Sequence, residues 1–270
     1  MEEQNNPRLQ TAYQIIETFL DGFSLDETAL RQYLTVQGRF SQCSVSNGVL
    51  IAAQRPDATH YKTREGWDQE KVTLLPEQKE ILMLIPDGTY TRPGGKVCTK
   101  FSTQDVFDIS QTDAPAQPPR DIRQCLQAML TRPICPIQVK ERTGGAVYVP
   151  EHNHVEIGRG LTLEETFRTM SLALSHGELA KRTEGYRPEA PQNSFYARCS
   201  SFMICARYGV EAKDYNFMDA PEIFQGCNNR ELKQHLETIR STAAAVIDRT
   251  EKVLARMLER QAQNTERDAR

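Results

Sequence analysis

Residues 162–182, TLEETFRTMSLALSHGELAKR, are the segment that most restricts how this chain can fold. One face of a helix over this segment is apolar, at Leu163, Phe167, Met170 and Leu174. A second apolar stripe lies beside the first and contains Leu172, His176 and Leu179. Because two of its faces are apolar, we expect this helix to be buried, with Thr162 and Glu165 capping its first turn.

Segment 113–120, DAPAQPPR, is the strongest linker signal, because it has three prolines and no apolar periodicity. It predicts two domains, over residues 1–112 and 121–260, followed by a disordered tail over 261–270, where core residues are lacking. We expect an α+β fold. The N-terminal domain should be a small α/β domain with an antiparallel sheet, and the C-terminal domain should be mostly helical with a β-hairpin.

In the N-terminal domain, the apolar run Val49–Ala53 predicts a short helix that is capped by Ser46 or Asn47 and ends before Pro56. The pattern from Trp67 onward is β-like. It predicts a buried strand at Ile81–Ile85, a turn at Pro93–Gly95 and a return strand that begins over residues 96–101.

The C-terminal domain alternates short apolar runs with turn residues before its two long helices. The predicted elements are a helix over 122–130, a strand over 134–139, a hairpin of 147–149 with 155–157, a helix over 195–208 capped by Asn193 or Ser194, and a helix from Arg230 to about Leu258 capped by Asn228. The predicted hairpin leads directly into the buried helix.

The net charge of −3 counts against a purely electrostatic nucleic-acid binder. No run of about 18 apolar residues occurs and the N-terminal segment is polar, so we expect no membrane partner and no signal peptide. The seven cysteines are scattered without a Cys-x-x-Cys pair, which favours reduced thiols. These features predict a cytoplasmic protein.

A local cluster of basic and aromatic residues lies between positions 55 and 71. Its members are Arg55, Tyr61, Lys62, Arg64, Trp67 and Lys71. Single-strand binding uses this mixture, because rings stack on bases while cations neutralise phosphates. Against this interpretation, Trp67 is the single tryptophan and can equally serve the core, and residues 1–112 hold 11 basic and 15 acidic side chains, a net charge of −4.

The helix over 162–182 resembles the histidine helix of a zinc-peptidase-like domain of the ImmA/IrrE type, which forms the C-terminal half of ArdC-like proteins of bacterial mobile elements. In that family the helix carries His-Glu-x-x-His, whose histidines hold zinc and whose glutamate is the general base. The family pattern places Leu172, Ala173 and His176 at these three positions, and Arg198 at the acidic third ligand. The resemblance therefore implies a zincin-like fold with an erased active site, without catalytic residues, metal or cofactor.

The N-terminal part also resembles the ArdC-like pattern, through an ordered series of short motifs. The series comprises Ser44, Asn47, Leu50–Ile51, Gln54, Pro56, Ala58–Thr59, Trp67 and Phe107–Thr112. The chain departs from the family at residues 75–79, LPEQK, where family members often have glycine with flanking lysines. ArdC-like proteins are thought to protect incoming single-stranded DNA from host restriction, so the resemblance implies an N-terminal domain that binds single-stranded DNA.

Two weaker chemical signals involve histidine. His176-Gly177-Glu178 matches the His-x-Glu of a zinc deaminase, but the Pro-Cys-x-x-Cys that this chemistry also needs is lacking. We therefore expect His176 to be a core histidine bonded to a neighbouring polar group. His152 and His154 fall in a predicted hairpin turn without a carboxylate partner of defined spacing, so we expect them to be solvated.

Together these patterns favour a non-catalytic, single-stranded-DNA-binding protein of a mobile genetic element, with a role in antirestriction or DNA protection. Two alternatives stay open at this point. The C-terminal domain could be a pseudopeptidase that contacts a protein partner through the former peptide groove, which requires an open groove near His176. The chain could instead be a metallopeptidase with an unusual metal site, although Ala173 would leave it without a proton acceptor.

Overall fold

The structure, a computed structural model, describes residues 6–24, 27–141 and 143–268. The described chain divides into two compact units. The first contains the residues up to Pro118 together with Ala220–Lys233, and the second contains Pro119–Asp219 and the residues from Gln234 onward. The break at Pro118 falls within the segment predicted as a linker, whereas the return of Ala220–Lys233 to the first unit departs from the predicted boundaries.

The first unit combines helices with a three-stranded antiparallel sheet. Its elements up to the break are α1 (Pro7–Asp21), α2 (Glu27–Arg39), α3 (Val45–Gln54), β1 (Tyr61–Lys62), α4 (Arg64–Gln69), β2 (Ile81–Thr91) and β3 (Val97–Asp108). β3 is the central strand and pairs antiparallel with both β1 and β2. Part of the core is formed by apolar residues of α2, α3 and the sheet, namely Val36, Ile51, Ala52, Ile81, Met83 and Val106.

The predicted strand at Ile81–Ile85 and the predicted turn at Pro93–Gly95 are confirmed, since both belong to the β2–β3 hairpin. The predicted cap of α3 is wrong. Ser44 caps this helix, because its hydroxyl accepts the backbone N–H of Asn47 at 3.3 Å, while Ser46 lies within the first turn. The side chain of Asn47 does not cap the helix and instead contacts the backbone of Leu84.

Trp67 lies on the short helix α4 rather than in a β-like segment, which corrects the sequence prediction. Thr63 caps α4, since its hydroxyl accepts the N–H of Gly66 at 3.1 Å. The side chain of Trp67 is only 2% exposed, and its Nε1–H donates to the carbonyl of Phe107 at 2.9 Å. α4 therefore anchors a core aromatic ring against β3.

Two amide side chains of α3 cover the free edge of β2. Asn47 donates from Nδ2 to the carbonyl of Leu84 and accepts the N–H of the same residue, each at 2.9 Å. Gln54 makes the same pair of bonds with Leu82, each at 3.0 Å. Because β3 occupies the other edge of β2, these amides supply the hydrogen bonds that a further strand would otherwise make.

We expect Asn47→Ala to lower the free energy of unfolding by about 2 kcal/mol. The substitution leaves the N–H and C=O of Leu84, a residue that is 6% exposed, without these partners. Urea denaturation followed by circular dichroism measures the change. Ser46→Ala, at the neighbouring position of α3, is the control and should shift stability by less than about 0.5 kcal/mol. Wild-type stability in Asn47→Ala would show that the edge of β2 does not need this amide.

The second unit is mostly helical and contains a small mixed sheet. Its elements are α5 (Ile122–Thr131), β4 (Ile137–Val139), β5 (Val147–Val149), β6 (His154–Ile157), α6 (Leu163–Ala180), α7 (Pro191–Tyr208) and most of α9 (Asn229–Asp268), whereas α8 (Ala220–Ile223) belongs to the first unit. β6 is the central strand, antiparallel to β5 and parallel to β4. The predicted β5–β6 hairpin and the predicted α+β class are confirmed.

α7 begins earlier than predicted. Its first residue is Pro191 and its N-cap is Ala190, so Asn193 and Ser194, the predicted caps, lie inside the helix. Proline suits the first helical turn, because the N–H that it lacks would have no intrahelical partner there.

α9 begins as predicted and ends later. Asn228 caps it, since its Oδ1 accepts the N–H of Arg230 at 3.0 Å. The helix continues past Leu258 to Asp268, so residues 261–268 of the predicted disordered tail are helical, and residues 269 and 270 lie outside the described residues. Neither glycine nor proline interrupts α9, which favours its extension. None of the helices in the described ranges combines the length and the apolar character needed to cross a membrane.

Candidate functional site

α6 is the buried helix that its two apolar stripes predict. Its capping box is confirmed, because Thr162 Oγ accepts the N–H of Glu165 at 3.2 Å and the Glu165 carboxylate accepts the N–H of Thr162 at 2.8 Å. Ala173, which the sequence resemblance aligns with the family's glutamate, is buried. Leu172 and His176 are half-buried, and α7 packs against this helix.

Arg198 lies on α7 and is the residue that the sequence resemblance aligns with an acidic metal ligand. Its guanidinium forms an ion pair with Asp219 and donates to the hydroxyl of Ser194 at 3.3 Å. The same group lies 6.0 Å from the centre of the Phe195 ring. These contacts hold a positive charge near His176, where it affects the protonation of the imidazole.

His176 is a neutral histidine bonded to a tyrosine. Burial, and to a smaller extent the charge of Arg198, lowers the pKa of His176 from its ordinary value of 6.5 to about 4. Its Nδ1 lies 2.6 Å from the hydroxyl of Tyr186. Burial raises the pKa of Tyr186, so both partners are neutral near pH 7, and the tautomer of the imidazole decides which of them donates. His176 thus has the polar hydrogen-bond partner that the sequence predicts, on a side chain that is half-buried.

The residues at these positions do not fit a catalytic metal. A metal of the zinc-peptidase type needs lone-pair donors, whereas Leu172 and Ala173 offer methyl groups and Arg198 offers a protonated guanidinium. Within the part of the chain that the structure describes, no three histidine, cysteine, aspartate or glutamate side chains are grouped so that they could hold a metal ion. Arg198 supplies a positive charge and His176 a hydrogen-bonding imidazole, but Ala173 cannot take up a proton.

Several open cavities adjoin α6. One of about 520 Å³ is lined by Leu172 and Arg198, two residues that the sequence resemblance aligns with metal ligands. A larger one, of about 790 Å³, has apolar, aromatic and charged lining residues, among them Ile134, Tyr148, Lys181 and Tyr186. The pseudopeptidase hypothesis requires an open groove near His176, and the larger cavity reaches Tyr186, the hydrogen-bond partner of that histidine.

His154 is buried, which contradicts the expectation that both turn histidines are solvated. It opens β6, and its Nε2 lies 3.2 Å from a carboxylate oxygen of Glu156. Side chains at positions i and i+2 of a strand point to the same side, so Glu156 can serve as the carboxylate partner of His154. The bond to His154, followed by the interaction with Lys140, lowers the pKa of Glu156. His152 is exposed, and its ring stacks on that of His154 with centres 5.8 Å apart.

Most side chains of the predicted nucleic-acid cluster make contacts within the first unit. Trp67 is buried, so its ring cannot stack on a base, which corrects its predicted role. The hydroxyl of Tyr61 lies 3.0 Å from Sγ of Cys43. The ammonium of Lys62 pairs with Glu70 and lies 5.1 Å from the centre of the Trp67 ring. These three side chains therefore contribute to packing.

The remaining members of the cluster differ in exposure. Arg55 is half-buried and donates to the hydroxyl of Ser110 at 3.3 Å. Arg64 is exposed, with its guanidinium 5.2 Å from the centre of the Phe107 ring, and Lys71 is exposed. Arg64 and Lys71 are thus the predicted cations that face solvent most fully.

No protein-family model matches the chain, and no curated protein matches it. Among solved structures, the chain is similar to the metal-free crystal structure of the antirestriction ArdC protein from the R388 plasmid, with a TM-score of 0.52 and 14% identity over 78% of this chain and 85% of that chain. The Mn(II)-bound structure of that protein gives a TM-score of 0.49 and 15% identity over 78% of this chain and 84% of that chain. The metal-free comparison shows that the chain has an ArdC-like fold, as its sequence motifs imply.

Proposed function

We propose that this protein binds single-stranded DNA without catalysing a reaction, and that it protects such DNA as an antirestriction protein of a mobile genetic element. The observation that carries the proposal is the ArdC-like fold, since the R388 protein with that fold is an antirestriction protein. A strand covered by protein is shielded sterically from nucleases. Protection by occlusion therefore needs no catalytic residue.

The proposed absence of catalysis rests on the residues at the former peptidase site. Peptide hydrolysis by a zincin-like site uses a metal-bound water and a carboxylate that accepts its proton. Here Ala173 replaces the carboxylate, while Leu172 and Arg198 replace two ligands. We propose that the second unit serves as a scaffold.

The test is the binding of a fluorescent single-stranded oligonucleotide to the full-length protein, followed by anisotropy across a series of salt concentrations. We expect saturable binding that weakens as salt rises, because phosphate contacts release counterions. A single-strand-specific nuclease, added to the same mixtures, should spare the bound strand. Unlabelled duplex of the same sequence is the control competitor and should displace the strand poorly. A strand that gives no saturable signal at any salt concentration would refute the proposal.

A second candidate is a protein-interaction module, which the open cavity of about 790 Å³ beside Tyr186 favours. The cavity has both apolar and charged lining residues, as a peptide with mixed side chains requires. In this candidate, a protein such as a repressor or a restriction component binds in the groove without being cleaved. Failure of the oligonucleotide to bind the full-length chain would make this the preferred function.

A further inference from the structure

The outer part of the β2–β3 hairpin is an exposed two-stranded arm. The register of the two strands shifts between Pro86 and Thr89, and regular pairing then resumes as far as the turn at Pro93–Gly95. We call residues 89–100 the arm. None of its residues is buried, and Val97 is 63% exposed. The arm is therefore accessible to another molecule.

One face of the arm collects basic side chains. Tyr90 pairs with Cys98, and the N–H of Arg92 donates to the carbonyl of Lys96 at 2.9 Å. Side chains two residues apart on a strand, and those directly opposite across a pair, share a face. Lys100, two residues beyond Cys98, continues the same face. Three cations and one aromatic ring thus lie on one side of the ribbon.

The charge of the arm is unbalanced. The arm holds three basic residues and no acidic residue, although residues 1–112 together carry a net charge of −4. Among the described residues, Lys96 and Lys100 have no carboxylate partner. By contrast, Arg64 of the sequence-predicted cluster lines a cavity of about 550 Å³ together with acidic side chains, namely Glu65, Glu80 and Asp105. A phosphate is attracted to the arm and repelled by the carboxylates beside Arg64.

An aromatic ring accompanies the cations of the arm. The guanidinium of Arg92 lies 5.8 Å from the centre of the Tyr90 ring and donates to its hydroxyl at 3.1 Å. This contact holds the ring within the cationic face. Single-stranded nucleic acids use both components, since cations bind their phosphates and rings stack on their bases. An acidic peptide would use the cations but offers no base for the ring.

We propose that the arm is the surface that holds a single nucleic-acid strand, with Arg92, Lys96 and Lys100 on its phosphates and Tyr90 stacked on a base. The inference rests on the proposed function. It places the binding site on the arm instead of on the cluster of basic and aromatic residues around Trp67. Phosphates and ring faces are common to all bases. The strand is therefore bound with little sequence preference.

The test compares the full-length wild type with a triple variant, Arg92→Gln with Lys96→Gln and Lys100→Gln, in anisotropy titrations with labelled oligothymidylate. We expect the dissociation constant to rise at least about tenfold, and the slope of log affinity against log salt to fall by about 2, because each lost phosphate contact removes roughly 0.7. Tyr90→Leu, which keeps the charges, should weaken binding about tenfold and leave the salt slope unchanged.

A second triple variant, Arg230→Gln with Lys252→Gln and Arg256→Gln, is the matched control. It removes the same charge from exposed residues of α9 and should change affinity less than about twofold. Circular dichroism establishes that all variants are folded. Equal weakening by both triple variants would overturn the assignment, because net charge alone would explain the loss.

The remaining outcomes distinguish an error in the assignment of the arm as the binding site from an error in the proposed function. Unchanged affinity in the arm variant would overturn the arm as the site, while the binding of single-stranded DNA by the wild type would stand. A wild type that does not bind would refute the proposed function and the arm with it. If polyglutamate competes as well as oligothymidylate, the partner of the arm is an acidic polypeptide and the nucleic-acid assignment is overturned.

Discussion

Trp67→Ala should lower the free energy of unfolding by about 3–5 kcal/mol. The indole is almost fully buried, so its removal leaves a cavity beneath α4. It also removes the hydrogen bond from Nε1 to the carbonyl of Phe107, a buried residue. Urea denaturation followed by far-ultraviolet circular dichroism is the measurement, because Trp67 is the single tryptophan and the variant has no indole fluorescence.

Arg64→Ala, on the same helix, is the matched control for Trp67→Ala. Arg64 is exposed, so the shift in stability should stay within about 0.5 kcal/mol. Trp67→Phe should recover part of the lost stability, because its ring refills most of the cavity although it cannot donate a hydrogen bond. A Trp67→Ala protein with wild-type stability but without oligonucleotide binding would restore Trp67 as a stacking residue.

The segment around Trp67 shows why composition alone cannot place a nucleic-acid site. Cations interleaved with aromatic rings suit a single strand, but they also suit the edge of a core, where basic stems cover rings and keep their charges in water. Lys62 lies over the Trp67 ring and pairs with Glu70, and Arg64 lies over Phe107. Basic and aromatic residues have the same spacing along the sequence in a strand-binding surface and at the edge of a core. Burial distinguishes them, and burial depends on the tertiary fold.

Local signals predicted most elements of the fold. The stripes and capping box of α6, and the apolar run at Ile81–Ile85, depend on residues within a few positions of one another. Contacts between distant segments were not predictable in this way. Asn47 covers the edge of β2 through Leu84, which is 37 residues away. Similarly, Ala220–Lys233 belongs to the first unit although the chain has already entered the second.

The candidate site, like the fold, was predictable in part from the sequence, and the rest required the tertiary structure. The sequence alone shows that Leu172, Ala173 and Arg198 cannot bind a metal, because their side chains offer no lone pair wherever they lie. The pairing of Arg198 with Asp219 required the tertiary structure. So did the cationic face of the arm, because residues 89–100 share a face only once the register of the β2–β3 pair is known.

Acidification below pH 6.5 should destabilise the protein through His176. Burial, followed by the charge of Arg198, lowers the pKa of His176 from 6.5 to about 4. As the pH falls through this range, the unfolded chain binds a proton at this histidine while the folded protein does not. The stabilisation is therefore fully present above about pH 6.5 and is lost down to about pH 4, by up to roughly 3 kcal/mol for this group.

Urea denaturation of wild type and His176→Gln, at about pH 7 and about pH 4.5, isolates this contribution. The wild type should lose about 2 kcal/mol more than the variant, because glutamine can also form a hydrogen bond with the Tyr186 hydroxyl but does not titrate. Tyr186→Phe removes the hydrogen bond and keeps the buried imidazole, so most of the pH dependence should persist in that variant. Identical pH dependence in wild type and His176→Gln would mean that the folded protein accepts a proton at His176 as readily as the unfolded chain. The imidazole would then have to be hydrated in the folded protein.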